Sequence, residues 1–412
     1  MKKTFIYISD RMRSNWKAGL TVALVSLPLS VSLAVASGAT PTIGIIAAIW
    51  GGLFASLFGG SHFNVVGPTG ALSGVIAVFV ASHGVGALPM LSITAGILVL
   101  IAWRFRLEKF IRHIPEHTIH GFTIGVAVTI VATQLGNAFG VSLPQGIGEQ
   151  WDKIVYYLVH IKDAQSFIFL TFAIFLGLLF TLKKILPKVP SVIVLSPVGI
   201  LFGYLVHNRI IPATLPTLGD VFPNMVPQLT QSHHVFFTPY LILPALGIAL
   251  IAIIETGISA TIADNITGTK HDSKKEVFGL ALGNIASGIF GGLPVTAALA
   301  RTSLNIKSGA DHKTSGIINA ICIVLISFVF LSSFQYIPMA VIAAILTFVA
   351  YQLIERDVLV HSWKNAHKQF WIIMLVAFVC VYKDTIWGIA IGVCIGLIGN
   401  LTKFTDNAII QE

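Results

Sequence analysis

Charge is what this sequence has least of. Of its 412 residues only 10% are Asp, Glu, Lys or Arg, 55% are hydrophobic, and the mean hydropathy is +0.86. A soluble domain carries about 25% charged residues, so this chain lacks the polar surface to face water. Cysteine is also scarce: Cys322, Cys380 and Cys394 all sit in apolar runs, without the spacing of a disulfide framework or a zinc site. No phosphate loop, metal motif or nucleophile constellation is present, which leaves no case for an enzyme and no cofactor to expect beyond a coupling ion. The alternating segments of a membrane β-barrel are missing. The basic N-terminus runs into an apolar stretch that is already a full span, so no cleavable leader is read.

What is there is a series of apolar windows of the length that crosses a bilayer as a helix. They lie near residues 18–37, 43–58, 65–82, 87–103, 118–136, 166–183 and 190–207, and again near 239–262, 277–291, 294–305, 314–332, 336–354, 369–382 and 384–402. The pattern predicts an all-α polytopic membrane protein with 14 transmembrane segments arranged as two inverted seven-span repeats. Its parts are a cytoplasmic segment 1–17 able to form an interfacial helix, a first repeat 18–207, an extracellular connection 208–238, a second repeat 239–403 and a short cytoplasmic tail 404–412.

Lys and Arg test that topology. With the N-terminus in the cytoplasm, 21 of the 26 fall on the cytoplasmic side. Only Lys153, Lys162, Arg209 and Lys383 fall outside, and Arg301 lies within a span. So strong a bias is the positive-inside signature. It turns the net charge of +9 into a topogenic signal and removes nucleic acid as a partner.

Two stretches break the apolar pattern at matching places. Residues 59–73 read GGSHFNVVGPTGALS and residues 291–305 read GGLPVTAALARTSLN, each after a span that closes on Gly-Gly. Both lie in the third span of their half. Paired interruptions of this kind point to the binding site of an inverted-repeat transporter. Pro68 and Pro294 suit the first turn of a helix. Thr69 and Thr296 supply hydroxyls, and the small Gly70, Ala71, Ala297 and Ala298 let a ligand approach the backbone. Two half-helix N-termini facing one point would attract an anion by dipole and free N–H groups.

Ionisable groups inside spans cost about 2.5–3.5 kcal/mol each and are functional candidates. The sequence places one acid, Glu255, and one base, Arg301, well inside. Arg301 reads either as a fixed positive charge for the anion or as the ion-pair partner of Glu255. Glu255, with Thr256 and Ser259, reads as a coupling site for H⁺ or for Na⁺, with Glu255 as the metal ligand in the second case. His62 and Asn64, just before the first half-helix, read as candidates to line the pocket, and His62 reads equally as an interfacial residue. His120, Gln134, Asn284 and Asn319 read as interhelical glue, and Gly388, Gly392, Gly396 and Gly399 as close packing in the last span.

These residues resemble a family. NWKAGLTVALVSLPLSVSLA at 15–34, VGPTGALS at 66–73, and the run from Asp264 through PVTAALARTSLN and KSGADHKTSGI are similar to the SulP anion permeases, the sulfate permease and bicarbonate transporter group. The resemblance covers nearly all of residues 15–403. It implies a core domain of spans 1–4 and 8–11 moving as an elevator against a gate domain of spans 5–7 and 12–14, in a homodimer. It carries Thr69, Gly70 and Ala71, then Thr296, Ala297, Ala298 and Arg301, over as substrate ligands, and Glu255 as the cation-coupling position. Family members usually continue into a cytoplasmic STAS domain, so this chain reads as a STAS-less or shortened member.

The expected function is secondary active transport of a small inorganic anion, bicarbonate or sulfate, across the cell (inner) membrane, coupled to Na⁺ or H⁺. The alternatives are a dicarboxylate transporter, an anion exchanger or a passive anion channel of the same fold, and a non-transporting scaffold. A nucleobase permease would need acids poised on a purine or pyrimidine, where this pocket has an arginine.

Overall fold

The computed structural model describes residues 2–106, 116–144, 147, 150–187, 189–222 and 239–383, with 387, 388, 390–392, 394 and 395, side chains being described from residue 10 onward. The expected fourteenth span at 384–402 falls mostly outside the described residues, as do much of the 208–238 connection and the whole 404–412 tail.

Helices account for nearly all of it. In chain order they are α1 Lys2–Ala36, α2 Pro41–Ile46, α3 Gly52–Phe58, α4 Gly70–His83, α5 Leu88–Arg104 and α6 Glu116–Phe139. Then come α7 Gln150–Val159, α8 Ser166–Ile185, α9 Ser191–His207, α10 Leu218–Val221, α11 Pro239–Thr267 and α12 Ser273–Ile289. The chain closes with α13 Leu299–Lys307, α14 Thr314–Phe330, α15 Met339–Leu353, α16 Arg356–Asn365 and α17 His367–Tyr382. Among the described residues seven helical stretches are long and apolar enough to cross a membrane, and an eighth if the bent α15–α16 pair counts as one. Outward-facing side chains such as Leu170, Ile174, Leu325 and Phe328 remain exposed, as a lipid-facing surface requires.

Three differences from the sequence reading have physical reasons. The N-terminal segment is not separate from the first span, because one helix runs unbroken from Lys2 to Ala36. The second span is not a plain α-helix: a π-helical turn, Ala47–Gly51, joins α2 to α3. The segments read as loops around 150–159 and 356–365 are amphipathic helices. Their charges (Asp152 and Lys153; Arg356, Asp357 and Lys364) hide them from an apolar-window search, and at ten residues each is too short to cross.

The helices pack in two groups. Helices α1–α5 pack with α11–α14, and α6–α10 with α15–α17. Small residues set the closest approaches: Gly283 on the Gly51 carbonyl, Gly96 on Ile285, and, in the second group, Gly125 on Cys380. The groups touch where α4 meets α6 and where α1 meets α9 and α15.

Segments assigned to one side by the charge count also meet one another. Arg11 pairs with Asp311 at 3.0 Å, Lys313 Nζ donates to the Leu57 carbonyl at 2.8 Å, and Asp272 N–H donates to the Gly60 carbonyl at 3.3 Å. Apart from Leu57, at the cytoplasmic end of the second span, all of these lie in cytoplasmic segments of the predicted topology. On its outer side the connection meets the outer end of the span read at 336–354: Met339 N–H donates to Pro216 and Leu218 N–H to Ile337, each at 2.9 Å.

Candidate functional site

The two interrupted stretches come together. Residues Val66–Gly67 (β1) and Thr296–Ala297 (β2) form a two-residue antiparallel ladder, pairing Val66 with Ala297 and Gly67 with Thr296. Helix α4 leaves from one strand and α13 from the other. Each break is preceded by its Gly-Gly pair for a different reason. A Cβ on Gly60 would collide with the Asp272 carbonyl, whereas Gly291 turns the chain at φ 87°, where only glycine sits without strain.

The prolines do not begin the half-helices, contrary to the sequence expectation. Pro68 precedes the extended N-cap Thr69 (φ −131°, ψ 158°), and Pro294 lies before β2, four residues ahead of N-cap Ala298. The ladder holds the intervening backbone extended, so each helix starts only where the ladder ends.

Backbone polar groups in a break inside a membrane must be satisfied by protein. Helix α12 does much of this. The Asn284 amide both donates to and accepts from Val295 backbone at 2.9 Å, and Ser287 Oγ donates to the Leu293 carbonyl at 2.6 Å. Asn284 is therefore a brace for the second break. On the first break, Asn305 Nδ2 donates to the Phe63 carbonyl at 2.9 Å and Val65 N–H donates to Thr302 Oγ1 at 3.3 Å.

The predicted site residues fall into distinct settings. Thr69 does not cap α4: its hydroxyl donates to Glu255 Oε2 at 3.0 Å. The first-turn amides of α4, beginning at Gly70 and Ala71, therefore have no side-chain cap. Gly70 packs against Ile130 of α6, in the other helix group. Thr296 is fully buried, and its hydroxyl donates to the Ala252 carbonyl and meets Thr256 Oγ1, both at 3.0 Å. The amides of Ala297 and Ala298 are engaged by Thr256 Oγ1 (3.2 Å) and the Val65 carbonyl (3.1 Å). The uncapped amides of the second half-helix start beyond them, in the first turn of α13.

Among the described residues Arg301 is the largest fully buried side chain, 1% exposed. Its Nη2 donates to the Pro68 carbonyl at 2.7 Å and reaches Ser30 Oγ of α1 at 3.4 Å, which ties α13 to the first break. Its Nε and Nη1 meet no hydrogen-bond partner among the described residues. No ion pair within 4.0 Å joins Arg301 to Glu255 among those residues, though each feels the other's charge. The pairing weighed from the sequence alone is thus not formed. Glu255 is only partly buried, and its recorded partner is Thr69. Ser259 lies one turn along α11, but its hydroxyl bonds Asn64 Oδ1 and Thr302 Oγ1, both at 2.9 Å.

Other predicted residues sit elsewhere. His62 is exposed and lies beside His312, with ring centroids 5.1 Å apart and the planes tilted by 33°. Asn64 is buried behind the ladder. His120 pairs with Glu355 at 3.0 Å.

Ser30 and Glu276 are among the residues that escaped the sequence reading. Ser30 gave no signal within an apolar run. Glu276 stood in the charged string KHDSKKE and read as loop, yet it is 6% exposed. Its helical register with Gly279, Gly283 and Ser287 was the available clue, since that face packs on α3.

Comparison with known proteins gives one consistent answer. The profile of the sulfate permease family matches residues 12–376. YvdB of Bacillus subtilis, named provisionally as a sulfate transporter, is 30% identical over 408 residues, which cover 97% of this chain and 76% of that one. The bicarbonate transporter BicA of Picosynechococcus sp. is 28% identical over 411 residues, covering 96% and 71%. Among solved structures, the transmembrane domain of a cyanobacterial bicarbonate transporter BicA superposes with a TM-score of 0.80 at 24% identity, covering 92% of this chain and 97% of that one. SLC26A9 superposes with a TM-score of 0.78 at 13% identity, covering 96% and 66%. At such identities the two structures speak for the fold.

Proposed function

The chain belongs to the sulfate permease family, and from that membership we propose that it carries a small inorganic anion, bicarbonate or sulfate, across the membrane by secondary active transport. One observation carries the proposal. Two half-helices with uncapped N-termini are held together by a two-residue ladder, with the buried guanidinium of Arg301 bound to the carbonyl just before Thr69. Dipole ends and a fixed cation at one place favour an anion. In this reading Thr69, Gly70, Ala71, Thr296, Ala297, Ala298 and Arg301 form or support the anion pocket. Thr69 and Arg301 act through side chains, and the engaged residues Thr296, Ala297 and Ala298 hold the second half-helix in place.

Glu255 is the coupling position for Na⁺ or H⁺, with Ser259 fixing its helix. The hydrogen bond from Thr69 supports this, because it links the carboxylate to the start of the first half-helix. A cation or proton taken up by Glu255 would alter that link, so anion and cation occupancy become one equilibrium.

Fourteen spans in two inverted repeats, with both termini in the cytoplasm of the cell that makes the protein, agree with the Lys and Arg asymmetry and with the same-side contacts described above. The two helix groups supply the bodies for an elevator movement, the α4–α6 contact at Gly70 and Ile130 lying on the sliding surface. Assembly as a homodimer is part of the same proposal.

Uptake of labelled bicarbonate, sulfate and fumarate into proteoliposomes, with Na⁺ and H⁺ gradients imposed separately, tests the reading. Uptake of one inorganic anion driven by one gradient is expected. Current without any gradient requirement would mean a channel, preferred fumarate uptake a dicarboxylate carrier, and no flux of any anion would defeat transport altogether.

A further inference from the structure

Glu276 is a buried acid outside the anion pocket, and its hydrogen bonds tie α12, in the second half of the chain, to residues 60–64 in the first. Its Oε2 accepts from the Gly60 and Ser61 amides at 2.8 and 2.7 Å, and its Oε1 accepts from Asn64 Nδ2 at 2.7 Å. Asn64 continues the chain. Its Nδ2 also donates to the Thr256 carbonyl at 3.2 Å, and its Oδ1 accepts from Ser259 Oγ at 2.9 Å and Thr302 Oγ1 at 3.5 Å. Thr302 in turn holds the Val65 amide at the entry to β1. One carboxylate thus anchors the loop before the first half-helix, the helix that carries Glu255, and the second half-helix.

We propose that Glu276 is a positioning residue for transport: through Asn64 it fixes the two half-helix N-termini at the separation that binds the anion. The proposal rests on the anion-transport reading above. The chemistry needs an ionised carboxylate, because three donors converge on it and only an acceptor at both oxygens satisfies them all. A glutamine cannot replace it. With its oxygen toward Gly60 and Ser61, its NH₂ faces the NH₂ of Asn64. Turned round, its NH₂ faces two amides. Either way buried donors oppose each other.

That asymmetry gives the test. Aspartate at position 64 offers an acceptor to a glutamine NH₂, so Glu276→Gln with Asn64→Asp rebuilds that contact with reversed polarity, while giving up the Asn64 Nδ2 bond to the Thr256 carbonyl. Asn64→Asp alone sets two carboxylates face to face.

Anion KM and saturating uptake are measured in proteoliposomes for wild type, Glu276→Gln, Asn64→Asp and the double variant. Glu276→Gln should raise KM about tenfold, with saturating uptake within about twofold, and the double variant should recover part of that loss, the bond to the Thr256 carbonyl remaining absent. A purely structural role would lower the amount of active protein and leave KM alone. If Glu276→Gln does not assemble, Thr302→Val, which cuts the link on the other half-helix, must raise KM in the same direction. An unchanged KM, or a double variant no better than the worse single one, overturns the proposal.

Hydrogen exchange on the same proteins needs no transport. Glu276→Gln should speed exchange at both 60–67 and 296–302, and a rise confined to 60–67 would refute the coupling of the two half-helices. Absence of anion uptake by the wild type, together with the paired exchange response in Glu276→Gln, would defeat the transport reading and leave the network standing.

Discussion

Gly67→Ala adds one methyl group where the site is already crowded. A Cβ built there overlaps Arg301 Nη1, lies 3.4 Å from Arg301 Cζ, and has Ala48 Cα of the π-helical turn 3.7 Å away. The guanidinium has little freedom to withdraw, being 1% exposed and bound through Nη2 to the Pro68 carbonyl at 2.7 Å. Relief must come from turning the guanidinium away from that carbonyl or from spreading the ladder. Overpacking costs about 1–3 kcal/mol, and a lost hydrogen bond from a charged donor about 1.5–3 kcal/mol. If either falls on anion binding, KM rises about ten- to a hundredfold. The assay is gradient-driven anion uptake across a concentration series, with the unfolding temperature measured in parallel. Gly177→Ala is the control: a Cβ there meets nothing within 4 Å, so KM should not move. Adding Arg301→Lys to Gly67→Ala should cost less than the two single effects combined, because the slimmer head relieves the collision. Wild-type KM in Gly67→Ala, or strict additivity in the double variant, would refute the argument that Arg301 is held where the anion needs it.

Thr69→Val keeps the shape and removes the donor to Glu255 Oε2; anion KM should rise about five- to tenfold and the response to the cation gradient should weaken, as read by the same uptake assay. Glu255→Gln should abolish acceleration by the driving gradient while leaving downhill anion flux, and gradient-driven uptake at the wild-type rate would remove Glu255 from coupling. His312 gives a pH dependence of stability: burial, then His62, Arg11 and Lys313, hold its imidazole below the usual range, with Asp311 opposing. A group depressed in the folded state contributes stability above its unfolded value, about 6.5 for histidine, and loses it as pH falls through the folded value. Acidification from pH 7.5 toward about 5.5 should therefore lower the unfolding temperature of the detergent-purified protein, and His312→Gln should flatten that slope; an unaltered slope in the variant would refute the assignment.

Long apolar windows announce themselves, so the spans near 87–103, 166–183 and 314–332 were legible and appear as α5, α8 and α14. The half-helices were legible for the opposite reason: glycine, proline and threonine inside an apolar run have few uses other than a break. Neither the ladder nor its register was, since pairing Val66 with Ala297 is a contact between distant segments that no local pattern encodes. The same limit hid Glu276. A carboxylate in KHDSKKE looks like solvated loop until the Gly60–Asn64 turn folds over it. Sequence order did bring Glu255 and Arg301 into one neighbourhood, where each feels the other's charge, but it could not name their partners: the carboxylate goes to Thr69 and the guanidinium to a backbone carbonyl.

The ladder also sets an order of events during synthesis. Its two strands stand about 230 residues apart, and ribosomes add about 5–20 residues per second. The first break therefore waits roughly ten to fifty seconds before its partner strand exists. During that interval the backbone of Val66 and Gly67 lacks its native hydrogen bonds, and Glu276, the anchor of the turn before it, has not yet been made. The first half of the chain is then an unfinished client at the insertion machinery, and the protein's yield in a cell depends on how well that wait is shielded.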